Sequence, residues 1–370
     1  MQTSRRTFVS LPLVGMLGGM GSAVAQTTGD SMSHEEVVKA ANAEGTLLIY
    51  SIMAAENWKP ILAGFGALYP QIKVQTLDLP SQSEPFERYL AETATKSRTA
   101  DLIFSPGNEN WIDLFKRGEI LPLQLAEAKG LEKWMVPFPG LYGLSVTPVS
   151  VVWNNVLVPE NERPRNFDQF VELVKAKGPQ WKGRIASYTP MATFGRTVHG
   201  TYARYAGEKA WEQYAVLASA SPRFERSGGA MVEKVLSGEY AAAWMVATST
   251  VWPRLKDPTR AKLLGWSFVG EGQPLLLSAA AVPKASKSRN CARLMIEFLL
   301  SMEGQRLLGI GGLTPIRPGL KPDGDGLVHT YSSIVDAVGG ADRIARVDMD
   351  PSSTWDQERF VERYRKLFSL

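Results

Sequence analysis

Residues 183–200 read GRIASYTPMATFGRTVHG. Arg184-Ile185-Ala186-Ser187-Tyr188 is short and apolar enough for a buried strand. Thr189-Pro190 ends it, because proline cannot donate to a strand ladder and restricts the residue before it. Thr193 then reads as the cap of a helix that runs through Val198 and Tyr202. A strand, a loop of small residues and a helix start bring free backbone N–H groups to one point. That point favours an anion, since the helix dipole and the orphan donors act together. Arg196, in the first turn, is placed to add a charge-assisted contact.

The same strand-then-helix order spreads outward in both directions. Upstream, residues 46–50 (TLLIY) form an apolar strand without polar alternation, as in a parallel sheet covered on both faces. Residues 72–77 and 101–104 are further strands, with helices over 33–43, 86–95 and 111–117 and a closing strand at 120–123. Residues 149–154 start a second unit, with a helix over 167–175. Downstream come helices at 197–206, 208–218 and 231–237. Strands follow at 240–246, 263–269 and 275–282, then helices at 289–301 and 356–368. Alternation of this kind implies an α/β fold. Ligands in such sheets bind at the carboxyl ends of strands, which nominates Ser51-Ile52-Met53 and Ser105-Pro106-Gly107-Asn108 as one wall of a site.

The N-terminus reads as an address. Ser4-Arg5-Arg6-Thr7-Phe8-Val9 is a twin-arginine pattern, followed by a glycine-rich apolar run and by Ala23-Val24-Ala25, a small-residue cleavage site. The run is too short to span a bilayer. This predicts export to the periplasm, with cleavage near Ala25. Without residues 1–25 about 345 remain, enough for two lobes, and losing Arg5 and Arg6 lowers the formal charge from +4 to about +2. No long basic run suggests nucleic acid. Cys291 is the only cysteine, so no internal disulfide forms; its helical apolar surroundings predict a small core residue.

Several segments in order carry a resemblance: Glu44-Gly45-Thr46-Leu47-Leu48-Ile49-Tyr50, Ala100-Asp101-Leu102-Ile103, Trp181-Lys182-Gly183-Arg184-Ile185, Leu236-Ser237-Gly238-Glu239-Tyr240, Phe298-Leu299-Leu300-Ser301-Met302-Glu303-Gly304-Gln305 and Thr314-Pro315-Ile316-Arg317. Over residues 35–320 the chain resembles the periplasmic solute-binding proteins of ABC importers, type II class. It is most similar to the group that binds ferric iron, phosphonates and sugar phosphates. The resemblance implies an α/β fold of two lobes joined by two crossing strands, closing on a solute. Its expected layout is a signal at 1–25, the first part of lobe 1 at 26–148, lobe 2 at 149–272, and 273–370 returning to lobe 1 with C-terminal helices. The partners it implies are a small anionic solute and an inner-membrane permease, with the protein a monomer.

The iron binders of that group use a histidine, a glutamate and two adjacent tyrosines. This chain has Ala54, Pro106, Thr248 and Ser249 at the matching places, which argues against ferric iron and predicts no metal and no cofactor. What remains at these positions are hydroxyls and helix starts: Ser51, Ser105, Thr193, Ser227, Thr248 and Ser249, with backbone donors at Phe194, Gly195 and Gly228. That chemistry suits a phosphonate, a phosphate ester or a carboxylate. Arg196 or Arg226 would neutralise it, and Trp111, Tyr188, Phe194, Trp244 and Trp252 would line the organic end. A ferric-iron binder of the same family and a sensor subunit for a membrane receptor are the alternatives. An enzyme is not expected. The three histidines are far apart, no G-x-S-x-G elbow exists, and Gly309-Ile310-Gly311-Gly312 reads as a helix stop. The DGDG segment at 323–326 lacks a distal glutamate and reads as a turn rather than a calcium loop.

Overall fold

The computed structural model describes residues 32–323 and 327–370. The export signal expected at the N-terminus and residues 324–326 of the DGDG turn lie outside them. The first run of elements is α1 (His34–Glu44), β1 (Thr46–Ser51), α2 (Ala55–Leu68), β2 (Lys73–Asp78), α3 (Glu84–Ala94), β3 (Leu102–Ser105) and α4 (Asn108–Lys116). The second is β4 (Tyr142–Asn154), α5 (Phe167–Lys177), β5 (Ile185–Tyr188), α6 (Thr193–Ala206), α7 (Glu208–Ser219), β6 (Arg223–Glu225), α8 (Gly228–Leu236), β7 (Ala242–Ala247), α9 (Thr248–Leu255), α10 (Pro258–Leu263) and β8 (Leu264–Phe268). The chain finishes with β9 (Gln273–Ala281), α11 (Arg289–Leu300), α12 (Met302–Ile310), β10 (Thr314–Pro315), α13 (Tyr331–Val338), β11 (Ile344–Arg346) and α14 (Gln357–Phe368).

Two sheets share one strand. β4 is 13 residues long and almost wholly buried. Its first half, Tyr142 to Pro148, lies antiparallel to β9. Its second half lies between β7 and β8, also antiparallel. The first sheet runs β2-β1-β3-β9-β4, with β1 parallel to both β2 and β3. The second continues from β4 through β7 and β5 to β6, with β5 parallel to its neighbours. The architecture is the two-lobe α/β fold expected from the sequence. The expected strand at 149–154 starts seven residues earlier, at Tyr142. Gly143 and Pro148 masked it as breakers. Pro148 is tolerated because β4 changes partner there, from β10 at Val146 to β7 at Val149. The expected strand at 120–123 is reduced to a single bridge between Ile120 and Pro283.

Each lobe has its own core. In the first, α1, α2, α11 and α12 bury Val37, Trp58, Phe65, Leu294 and Leu308 on one face of the sheet, and Cys291 lies among them. On the other face Phe86, Trp111, Ile334 and Val338 pack against Ile103 and Leu277. The second lobe is filled by Phe170, Tyr214, Met231, Trp244 and Val251. Phe360 and Tyr364 of α14 belong to that second core, although β11, just before them, pairs with β9 of the first sheet. The chain therefore passes between the sheets a third time, over residues 347–356. Gly311 ends α12 and Gly312 takes φ +88°, which only glycine adopts without strain, so this glycine cluster is a helix stop.

Candidate functional site

Each lobe sends strands into helix starts at the same edge. β1 leads to α2 and β3 to α4 in the first lobe; β5 leads to α6, β6 to α8 and β7 to α9 in the second. Arg196 in the first turn of α6 donates to Glu109 in the first turn of α4, Nε to Oε1 at 3.2 Å and Nη2 to Oε2 at 3.1 Å. The two lobes thus meet with these helix starts face to face. Gln357 at the start of α14 donates to the same carboxylate at 2.7 Å.

The hydroxyls nominated from the sequence are mostly committed inside the protein. Ser51 is fully buried, and its Oγ accepts from Met53 N and from Trp58 Nε1. Ser105 donates to Gln82 O and accepts from Gly107 N, and is buried too. Thr248 donates to Pro148 O at 3.0 Å, fastening α9 to the point where β4 changes sheets. Ser227 caps α8 by accepting from Ala230 N. Thr193 is not the cap of α6: that place is taken by Ala192, and no side chain satisfies the first N–H groups. α9 likewise starts after Ala247 without a side-chain cap, and Ser249 in its first turn is exposed.

The two glycines have packing reasons. A Cβ at Gly195 would run into Thr189 O, and one at Gly228 into the Tyr188 hydroxyl. Tyr188 ends β5 almost fully buried, with Phe194 edge-on to its ring at 4.7 Å. Burial pushes its hydroxyl up to about 12, so it stays a neutral donor. Of the other nominated aromatics, Trp111 and Trp244 are core. Trp252 stacks on His329 at 4.0 Å. β7 carries a kink just before the site: Met245 is buried at φ +57° where Val151 faces an extra residue. Such bulges re-aim the end of a strand, here the turn from Ala247 into α9.

The electrostatics separate the lobes. α2 and α4 have Glu56 and Glu109 in their first turns, whereas α6, α8 and α9 have no acidic residue there. α11 shows what such a start takes when an anion is within reach. Lacking a cap of its own, it receives the Glu44 carboxylate on Asn290 N at 3.1 Å and on Cys291 N at 2.8 Å. Asn108, the first residue of α4, is the last residue of the wall nominated from the sequence, Ser105-Pro106-Gly107-Asn108. It lines a small cavity between α4 and α6. Among the described residues, no three of His, Cys, Asp and Glu converge as a metal would need.

Residues 53–306 match the family model described as bacterial extracellular solute-binding protein. The chain belongs to that family. Among curated proteins, no relative matches this solute-binding protein. Solved structures share its fold. The substrate-binding protein of an ABC transporter from Agrobacterium tumefaciens superposes with TM-score 0.73 at 20% identity, over 89% of this chain and 97% of that one. Iron-bound HitA from Pseudomonas aeruginosa gives 0.65 at 17%, over 87% and 99%. AfuA from Actinobacillus pleuropneumoniae, with fructose-6-phosphate bound, gives 0.63 at 15%, over 88% and 99%.

Proposed function

We propose that this solute-binding protein works in the periplasm, captures a small anionic organic solute between its lobes, and delivers it to an ABC importer. The observation that carries the reading is the pair of open helix starts at α6 and α9. Neither has a side-chain cap or a first-turn carboxylate, while α11, equally bare, is completed by Glu44. An anion at α6 and α9 would do for them what Glu44 does for α11. The α8 start adds Gly228 beside Tyr188 and Gly229 beside Arg254. The nominated site is therefore narrowed to backbone donors at Thr193, Phe194, Gly195, Thr248 and Ser249, with Arg196 holding the lobes rather than the anion. The transporter role agrees with the Agrobacterium protein, the substrate-binding protein of an ABC transporter, and a phosphate ester agrees with the fructose-6-phosphate bound to AfuA. Iron, as in HitA, would need phenolate and carboxylate ligands. Ala54, Pro106, Thr248 and Ser249 supply none, so we place ferric iron second.

The test is a thermal-shift panel on mature protein unfolded and refolded to strip carried-over ligand. It contains phosphonates, phosphate esters, carboxylates and ferric citrate. An anion present at a hundred times its Kd stabilises by about 2.7 kcal/mol. The Ser249→Asp variant puts a carboxylate in the first turn of α9. It should melt about 1 degree higher without ligand, from a helix-dipole contribution of about 0.3–1 kcal/mol, and lose the anion response. A shift with ferric citrate that no iron-free anion reproduces would overturn the reading.

A further inference from the structure

We propose that Asn108 reads a hydroxyl group of the solute, so that the anion captured here is a hydroxylated one. The inference rests on the reading of the cleft as an anion site and narrows its ligand.

Asn108 is 4% exposed. Both Oδ1 and Nδ2 are shielded, and neither has a hydrogen-bond partner. The contrast with Asn154, buried to the same degree, is sharp. Its Nδ2 donates to Val235 O and Leu236 O, and its Oδ1 accepts from Val156 N and Leu157 N. A buried polar group left unpaired costs about 1–3 kcal/mol, and such exceptions call for an explanation. An apolar residue at position 108 would avoid that cost, so the amide is a burden that no other residue relieves.

Its place indicates what relieves the burden. Asn108 lines a cavity of about 60 Å³ that also touches Thr197, Gly200 and Thr201 of α6. The neighbouring charges are already matched, because Glu109 is held by Arg196 and Gln357. Thr197 lies one helical turn beyond Thr193, about 6 Å along the axis. In the proposed pose a small molecule with its anionic group at the start of α6 extends along Thr197 toward Asn108, which lines the same cavity. Phosphate and carboxylate oxygens only accept, and would leave Oδ1 unpaired. A hydroxyl both accepts and donates, and one or two of them complete the amide.

The experiment titrates the stripped full-length mature protein with two pairs of probes: glycerol 3-phosphate against propyl phosphate, and malate against succinate. Wild-type protein should prefer the hydroxylated member of a pair by tenfold or more. Asn108→Leu should bring that preference below twofold, chiefly by weakening the hydroxylated member, and melt no lower than wild type when empty. Equal binding of both members by wild-type protein overturns the proposal while the anion site stands, and needs no variant to fold. A preference that survives in Asn108→Leu overturns it as well. If none of the four probes binds and ferric citrate does, the anion reading fails first and the proposal falls with it.

Discussion

His199 lies wholly inside the second lobe, packed among Ser187, Tyr188, Tyr214, Trp244 and Tyr364. Its Nε2 sits 3.2 Å from both Ser187 Oγ and Tyr188 O, and its Nδ1 has no partner. Burial lowers its pKa from 6.5 to about 3. The unfolded chain therefore binds a proton below pH 6.5 that the folded one refuses. Stability is complete above pH 6.5 and falls as the pH drops toward 3. Urea titrations at pH 7.5 and pH 5 should differ by about 2 kcal/mol on this account, and His199→Gln should remove most of the difference. His329, shifted the same way by burial, leaves a smaller slope behind. The sequence located the strand-to-helix turn around this histidine but not the use of its hydroxyls. Ser51, Ser105 and Thr248 read as open donors because a serine or threonine after a strand looks the same whether it faces solute or a partner inside the protein, such as Pro148 O, 100 residues from Thr248. Asn108 stands in the nominated wall only as a loop residue for the matching reason: only the three-dimensional neighbours reveal that its amide has no partner.

Among the elements, α14 has the least obvious place. Its amphipathic pattern is plain in the sequence, but nothing in that pattern says which lobe receives it. The structure answers with Phe360 and Tyr364, both buried in the second core, with Tyr364 stacked on Phe368 at 4.4 Å. Arg363 pairs with Glu208 on α7 at 2.7 Å. The Tyr364 hydroxyl, however, is buried without a partner. Tyr364→Phe should thus raise the unfolding free energy by about 1 kcal/mol, while Tyr364→Ala should lower it by about 3–5 kcal/mol, both read from urea unfolding. A loss in the phenylalanine variant would mean that the hydroxyl bonds one of the unpartnered polar atoms of this cluster, His199 Nδ1 or Trp244 Nε1. Elsewhere the elements were legible wherever apolar runs and breakers agreed, as at β1, β5 and α11. They were blurred where tertiary pairing overrode a breaker, as at Pro148 in β4. The short helices α9 and α10 were missed because Pro253 and Pro258 read as loop residues.

At the scale of the whole molecule, the lobes are held by contacts that a solute can tip. The Arg196–Glu109 pair is partly exposed and is worth at most about 1 kcal/mol. Arg204 adds a bridge to Asp348 at 2.7 Å, and Tyr205 donates to Asp342 O. Glu109→Gln should therefore shift the empty protein toward an open arrangement by a few-fold in population. Small-angle scattering would show this as a larger radius of gyration that saturating ligand reverses. An unchanged radius would assign closure to the contacts along α6 and β11 instead.

The shared strand and the late return of the chain also govern how the molecule comes into being. The first sheet needs β9 to close against β3 and β4. The second core waits for Tyr364, nearly a hundred residues after its last strand, β8. Long-range pairings of this kind delay folding, and vectorial synthesis lengthens the delay. A ribosome that has released residues 1–300 has made most of both cores and completed neither lobe. The nascent chain thus stays a client for chaperones until its final helix emerges.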